Sequence, residues 1–188
     1  MKTKHVIFTL RILVCLVLIS GCKKEQEDLP EPILPQFSIG ESYGGGIVFY
    51  VDGSGKHGLI VAENNQSSSV EWFNGTYIDT PAKGTVVGTG NENTVAITKV
   101  QGTGIYAASI CENLELNGYS DWFLPSKDEL NLLYLQKAAG LIGTFDNNFY
   151  WSSTENSYNG AWSQSFTSGA NSSATKDGEY FVRAIRSF

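Results

Sequence analysis

Few residues in this sequence have the chemistry and the spacing of a catalytic or metal site. The chain holds two histidines and three cysteines. His57 lies in a predicted turn, and Cys111 lies on the apolar side of a predicted helix, where cysteine usually acts as a small hydrophobic residue. A zinc site needs about four nitrogen, sulfur or carboxylate ligands, and these two residues stand far apart. We therefore expect no catalytic residue, no metal and no cofactor, which argues against an enzyme.

Oxygen ligands for a hard cation such as calcium are limited to one short run and one distant acid. Asp146, Asn147 and Asn148, joined by Glu155, could converge on such an ion. The first three residues are equally typical of a turn, because Asp and Asn side chains bond to nearby backbone. The sequence favours the turn.

The four tryptophans are the better candidates for binding. Each of Trp72, Trp122, Trp151 and Trp162 lies near Gly, Ser, Asn or Asp. Aromatic faces flanked by short polar groups suit sugars, whereas a buried tryptophan packs in the core. We assign Trp122 and Trp151 to the core. Trp72 precedes a long polar loop, so Trp72 and Asn74 are the predicted ligand-binding residues.

The direction of the Trp72 ring depends on the strand that carries it. Trp72 and Phe73 are neighbours on a predicted strand, where successive side chains point to opposite faces. One of the two is expected to face the core and the other a cleft or solvent. The alternative is that Trp72 packs inward and the loop over residues 74–92 covers a sheet edge.

Two arginines lie close to the C-terminus. Arg183 and Arg186 stand three positions apart on a predicted strand, so their side chains are expected on opposite faces. One of them is expected to pair with a buried acid, such as Asp121 or Glu155, because a buried charge needs a partner.

Hydrophobic periodicity and turn residues give the elements that position these side chains. Helices are predicted for Tyr106–Leu116, for a segment that begins with the capping box of Ser126 and Glu129 and ends at Gly140, and for a shorter segment, Thr94–Val100. Strands are predicted for Gly46–Val51, Gly58–Ala62, Val70–Phe73, Phe149–Ser153, Ala161–Thr167 and Tyr180–Ser187. The order of strands, helices and strands predicts an α+β fold with a mainly antiparallel sheet and two main helices.

The first 36 residues have a different character. Basic residues, a short apolar run over 12–19 and a small-residue site predict a secretory signal peptide over 1–21. The segment that ends in Cys22 resembles the bacterial lipobox, which implies a lipid anchor on Cys22; an ordinary signal with a chance cysteine is the alternative. Residues 22–36 are charged and then proline-rich, which is typical of a tether. Residues 37–188 form the predicted domain, anchored at the outer membrane or cell surface.

The charge of the domain excludes one class of partner. From Phe37 onward the chain holds eight basic and fifteen acidic residues. Binding of nucleic acid relies on clustered Lys and Arg, so no nucleic-acid partner is expected.

Four segments, 44–51, 118–130, 150–155 and 182–188, together resemble the Lcl C-terminal domain family over about residues 40–188. The resemblance implies a C-type-lectin-like or sulfatase-modifying-factor-like domain on an exported bacterial protein. In the namesake, a collagen-like adhesin, it implies binding of sulfated glycosaminoglycans. Sulfate recognition needs a cluster of Arg or Lys, which an acidic domain does not favour.

Three functional hypotheses follow. The first is a non-catalytic, lipid-anchored envelope or surface domain that binds a glycan or a surface protein, as in adhesion. The second is a structural envelope protein that assembles without a soluble ligand. The third, an enzyme, is the least favoured. An exposed aromatic cleft would favour the first, and a broad apolar patch the second.

Overall fold

The computed structural model describes residues 37–188. The predicted signal peptide, the lipidation of Cys22 and the tether over 22–36 lie outside the described residues. Within these residues, no helix is both long enough and apolar enough to cross a membrane.

The described residues form nine strands and three helices. They are β1 (Ser42–Tyr43), β2 (Gly46–Val51), β3 (Gly58–Val61), β4 (Ser67–Val70), α1 (Gly90–Gln101), α2 (Ala107–Glu112), α3 (Lys127–Ala138), β5 (Phe149–Ser157), β6 (Gly160–Ser165), β7 (Asn171–Thr175), β8 (Tyr180–Val182) and β9 (Ile185–Ser187). This composition confirms the predicted α+β class.

The strands form two sheets. The first has the order β1-β2-β3-β9 and the second the order β4-β8-β5-β6-β7. Every pairing is antiparallel except that of β5 with β8, which is parallel at Tyr150 and Phe181. Because β8 and β9 are consecutive along the chain but belong to different sheets, the C-terminal segment ties the two sheets together.

That split corrects the prediction of one strand over Tyr180–Ser187. Arg183 and Ala184 cross between the sheets, and the Ala184 N–H bonds to the side-chain oxygen of Gln66 at 2.6 Å rather than to a neighbouring strand. The prediction also missed β1 and β7, because β7 (Asn171–Thr175) is built from small polar residues and shows no hydrophobic alternation.

The helices follow the sequence with shifted ends. α1, predicted as a shorter helix from Thr94, begins four residues earlier and has 12 residues. α2, predicted as a main helix as far as Leu116, ends at Glu112 after six residues, so the prediction of which helices are the main ones is wrong here. The capping box of α3 is confirmed: the Glu129 N–H donates to Ser126 Oγ at 3.3 Å, and the Ser126 N–H donates to Glu129 Oε2 at 2.7 Å. Glu129 is fully buried, and this burial raises the pKa of its carboxyl.

The core confirms several assignments. Trp122 is 2% exposed and Trp151 is fully buried, with its Nε1 donating to the Val70 carbonyl at 2.9 Å. Cys111 is fully buried, and burial raises the pKa of its thiol. A protonated, enclosed thiol is a packing group rather than a nucleophile.

A buried ion pair fixes the loop that precedes α1. Lys176 and Glu155 are both buried, and Lys176 Nζ lies 2.9 Å from Glu155 Oε2. Lys176 also donates to the Ile78 carbonyl at 3.0 Å, and Thr80 Oγ1 donates to Glu155 at 2.7 Å. Burial raises the pKa of Glu155, but its bonds to Lys83, Thr80 and Lys176 outweigh burial and leave the pKa lowered.

Candidate functional site

The predicted exposure of one residue of the Trp72–Phe73 pair is wrong. Trp72 is fully buried and Phe73 is 4% exposed. Trp72 Nε1 donates to the Ser152 carbonyl at 2.8 Å, and Lys176 Nζ lies 4.9 Å from the centre of its ring. Strand β4 ends at Val70, so the alternation of a strand does not apply to these two residues. The Trp72 ring therefore offers no surface to a ligand.

The Asn74 side chain is exposed, but both hydrogens of its amide group are already donated to carbonyls of the protein. Its Nδ2 donates to the carbonyls of Gln101 and Thr103, at 3.1 and 2.8 Å. These bonds attach the start of the long loop to the end of α1. Trp72 and Asn74 thus do not form a common site.

The proposed oxygen ligands for calcium do not converge either. Glu155 is engaged by two lysines, whereas Asp146 Oδ2 accepts a bond from Asn65 Nδ2 at 2.7 Å. Across residues 37–188, no three His, Cys, Asp or Glu side chains are grouped as metal ligands. His57 lies exposed in the turn between β2 and β3.

Three cavities that share lining residues form an extended site, which we call the amide groove. The terminal cavity, of about 160 Å³, is lined by the 63–65 loop, Asp146 and Arg183 among others. The central cavity, of about 400 Å³, shares the 63–65 loop and adds Gln66 and Asn117 beside Ile110, Leu114 and Leu116. The open cavity, of about 460 Å³, shares Asn117 and adds Glu115 and Tyr119.

Asn65 organises the terminal cavity. Its Oδ1 accepts bonds from Arg183 Nε at 2.8 Å and from the Tyr150 hydroxyl at 3.1 Å, and its Nδ2 donates to Asp146. The amide is therefore held in one orientation by three partners. Within the described residues, Asp146 Oδ2 accepts the bond from Asn65 Nδ2, whereas Oδ1 accepts none from another residue.

Arg183 forms the buried wall of that cavity. The side chain stacks 4.1 Å from the Phe145 ring centre, and its NH1 donates to the carbonyls of Ala62 and Glu63 at 3.0 and 2.8 Å. NH2 donates to the Thr144 carbonyl at 3.1 Å. Among residues 37–188, no carboxylate lies within 4.0 Å of this guanidinium, and burial lowers its pKa. Arg183 is thus a fixed donor rather than half of an ion pair.

Tyr119 forms an aromatic platform at the open end. Its ring is 38% exposed and lies 3.9 Å above the Arg186 guanidinium. Arg186 is held in turn by Asp121, at 2.7 and 2.8 Å, and by the Gly44 carbonyl, at 2.9 Å. One of the two arginines thus pairs with Asp121 as predicted, but the Asp121 side chain is 57% exposed rather than buried. The bond to Arg186 lowers the pKa of Asp121.

The turn that presents Tyr119 depends on two left-handed residues. Asn117 has φ of 53° and Gly118 has φ of 83°, a region that Asn and Gly adopt most easily. The backbone of Leu116 and Tyr119 pairs across this turn at 3.0 Å. Asn117 Nδ2 donates to the Gly45 carbonyl at 2.7 Å, which fixes the turn against the first sheet.

Two other surfaces are weaker candidates. Cavities of about 550 and 580 Å³ flank α1, but hydroxyl groups in the first are already bonded within the protein, Thr98 to Glu112 and Tyr106 to Gly102. Trp162 is the one tryptophan whose side chain is not buried, and Lys127 Nζ lies 3.9 Å from its ring centre. This ammonium covers one face of the ring, as Arg186 covers one face of Tyr119, but Trp162 lines none of the cavities named above.

The family profile that matches this sequence is that of the Lcl C-terminal domain, over residues 62–186. The protein belongs to this family. No curated protein matches the sequence. The profile confirms the resemblance seen in the sequence motifs, and it spans all the groove residues from Glu63 to Arg183. The Lcl C-terminal domain of this chain therefore contains the whole amide groove.

The groove of this Lcl C-terminal domain combines fixed polar groups with apolar surface. Its lining offers amide donors and acceptors, carboxylates, one guanidinium and an apolar floor, but includes no histidine or cysteine. A few fixed polar groups above apolar surface are the usual composition of a small-ligand site. Sequence analysis singled out Arg183, Arg186 and Asp146 but not Asn65 or Tyr119.

Proposed function

We propose that the protein is a lipid-anchored, non-catalytic binding domain outside the cytoplasm, and that its amide groove binds a neutral glycan. The observation that carries the proposal is the combination, in one row of cavities, of the Tyr119 platform with the exposed side-chain amides of Asn64 and Asn117. An aromatic face suits the apolar face of a sugar, and amides match its hydroxyl groups as donors and acceptors.

The charge of the groove supports a neutral ligand. Glu63, Glu115 and Asp146 are exposed carboxylates at its edge, whereas Arg183 is its single lining cation and is buried. A sulfate group in the groove would lie among these carboxylates, which repel it. The groove therefore favours hydroxyl-rich neutral sugars over the sulfated glycosaminoglycans that the family resemblance implies.

The anchor is supported by the sequence alone, through the segment that ends in Cys22. Changing Cys22→Ala is expected to abolish incorporation of a fatty-acid probe in cells, since the thiol is the acylation site of a lipobox. Equal labelling of the variant and the natural protein would contradict the lipid anchor.

A second candidate function is assembly with another envelope protein. Ile105 is 84% exposed and Val95 is 49% exposed, and Val95 lines both cavities that flank α1. Exposed apolar side chains at a cavity favour protein contacts. This surface is separate from the amide groove, so the two functions are compatible.

A glycan array probed with the purified protein tests the main proposal. We expect retention on unsulfated neutral glycans, with and without calcium, and little change on raising the salt, because no basic cluster drives binding. Binding confined to sulfated glycans, or lost in high salt, would contradict the charge argument. The absence of any retained glycan would leave the assembly function as the better account.

A further inference from the structure

The amide groove ends in a cavity much smaller and more polar than the others. The terminal cavity has a volume of about 160 Å³, against about 400 and 460 Å³ for the central and open cavities. The terminal cavity shares lining residues with the central cavity but none with the open cavity, so it forms one end of this row of cavities. There is room at this end for roughly one sugar ring.

We infer that the terminal cavity holds the end of a glycan chain, so that the protein recognises chain ends rather than internal segments. This inference rests on the proposed function and specifies its ligand. A chain end differs from an internal sugar by an additional free hydroxyl group. Recognition of that hydroxyl requires fixed polar groups at the end of the groove, with unused bonding capacity.

The terminal cavity supplies such groups. Asp146 uses one carboxylate oxygen for Asn65 Nδ2, and its second oxygen is free to accept a hydroxyl proton. Arg183 uses four of its five N–H groups on Asn65, Ala62, Glu63 and Thr144, and the fifth, on the side of the Tyr150 hydroxyl, is the donor that a ligand hydroxyl can share. One hydroxyl group can therefore donate to Asp146 and accept from Arg183.

The donors and acceptors are also held rigidly. Asn65 bonds to both Arg183 and Asp146, and the Phe145 ring supports the guanidinium at 4.1 Å. A preorganised site binds its ligand without the cost of ordering its own side chains. The open cavity beside Tyr119 lacks this network, so the other end of the chain is free to extend into solvent.

The test compares short glycans, which have many chain ends per sugar, with long polymers, which have few. It uses the full-length lipidated protein in detergent micelles. The probes are linear neutral tetrasaccharides of β-1,4-glucose, α-1,4-glucose, β-1,4-mannose and β-1,4-galactose, each beside its own soluble long polymer. They compete for binding against an immobilised tetrasaccharide at equal total sugar concentration. If the protein recognises chain ends, each competitor inhibits in proportion to its number of chains. At equal total sugar concentration the polymer should therefore inhibit less than the tetrasaccharide, by the ratio of the two chain lengths.

An Asp146→Asn variant tests the assigned residue. Its amide oxygen can still accept from Asn65, but the charged acceptor for the sugar hydroxyl is lost, and affinity for the tetrasaccharide is expected to fall about tenfold or more. Asp52→Asn, in the exposed turn between β2 and β3, is the matched control and should bind normally. Thermal midpoints of both variants equal to that of the natural protein would show that the fold is intact.

The outcomes separate this inference from the proposed function. Equal potency of polymer and tetrasaccharide per sugar, or an unchanged affinity of Asp146→Asn, would overturn end recognition while leaving a glycan-binding groove. If none of the probes binds and the array is also empty, the proposed function fails and the inference fails with it.

Discussion

Replacing Lys176 with methionine is expected to destabilise the domain by about 3 kcal/mol. The ammonium is fully buried and bonds to Glu155 at 2.9 Å and to the Ile78 carbonyl at 3.0 Å. Removing one partner of a buried ion pair typically costs about 3–5 kcal/mol, because the other charge is left buried without compensation. Lys83 also bonds to Glu155, so we expect the lower end of that range.

Lys83→Met is the matched control, because Lys83 bonds to the same carboxylate from the surface. Its side chain is 51% exposed, and an exposed ion pair contributes about 0–1 kcal/mol. A small effect of Lys83→Met beside a large effect of Lys176→Met would show that burial, rather than the number of ion pairs, determines the stabilisation.

Urea denaturation of residues 37–188 measures both variants, together with Glu155→Gln and the double variant Lys176→Met/Glu155→Gln. The double variant removes both buried charges, so its loss of stability should be smaller than the sum of the two single losses by about 0.5–3 kcal/mol. A loss below about 1 kcal/mol for Lys176→Met, or strict additivity in the double variant, would refute the role assigned to this pair.

Three further predictions concern the fold. Ser126→Ala should lower the unfolding free energy by about 1–2 kcal/mol, since the hydroxyl caps α3 and also donates to the Val86 carbonyl at 3.1 Å; an unchanged denaturation midpoint would contradict this. Cys111 should react with a thiol reagent only after unfolding, and rapid labelling of the native protein would disprove its burial. The bond to Arg186 lowers the pKa of Asp121 below its ordinary value of about 3.8, so the ionised carboxylate stabilises the fold. This stabilisation is fully present above that ordinary pKa and is lost as the pH falls through the lowered pKa of the folded protein. The difference in stability between the natural protein and Asp121→Asn should therefore shrink on acidification, and a constant difference would argue against the bond to Arg186.

Local sequence patterns predicted the parts of the fold that depend on local interactions. The capping box of Ser126 and Glu129 needs only residues three positions apart, and it is present as predicted. The hairpin of β2 and β3 follows from two β-rich runs around a turn of Gly, Ser and Asp. Such features are visible in one short window of sequence.

The error at Trp72 shows where local pattern fails. Alternation of side chains applies only while the chain remains a strand, and β4 ends two residues earlier. Beyond that point the Trp72 ring packs beside Lys176, whose ammonium is compensated by Glu155. That arrangement joins residues from three distant parts of the chain, and no pattern around Trp72 indicates it.

The amide groove could not be predicted for the same reason. Asn65 and Asp146 are 81 positions apart, and Asn65 and Arg183 are 118 positions apart. Each comes from a loop or a crossing between sheets, where sequence has no periodicity. The prediction that Arg183 or Arg186 pairs with an acid came closest, because buried arginines require partners, and it did find Asp121.

The central claim, that the amide groove binds a neutral glycan, is tested most directly by calorimetric titration of three proteins with the best ligand from the array. These are the natural protein, Tyr119→Ala in the groove and Tyr158→Ala in the turn between β5 and β6. Tyr158 is 57% exposed and lies outside the groove, so it matches Tyr119 in type and accessibility. We predict that Tyr119→Ala weakens binding about tenfold, through a loss of about 1–2 kcal/mol of aromatic contact, while Tyr158→Ala binds as the natural protein does. Equal affinity of all three proteins, or a loss only in Tyr158→Ala, would contradict the assignment of the ligand to the groove.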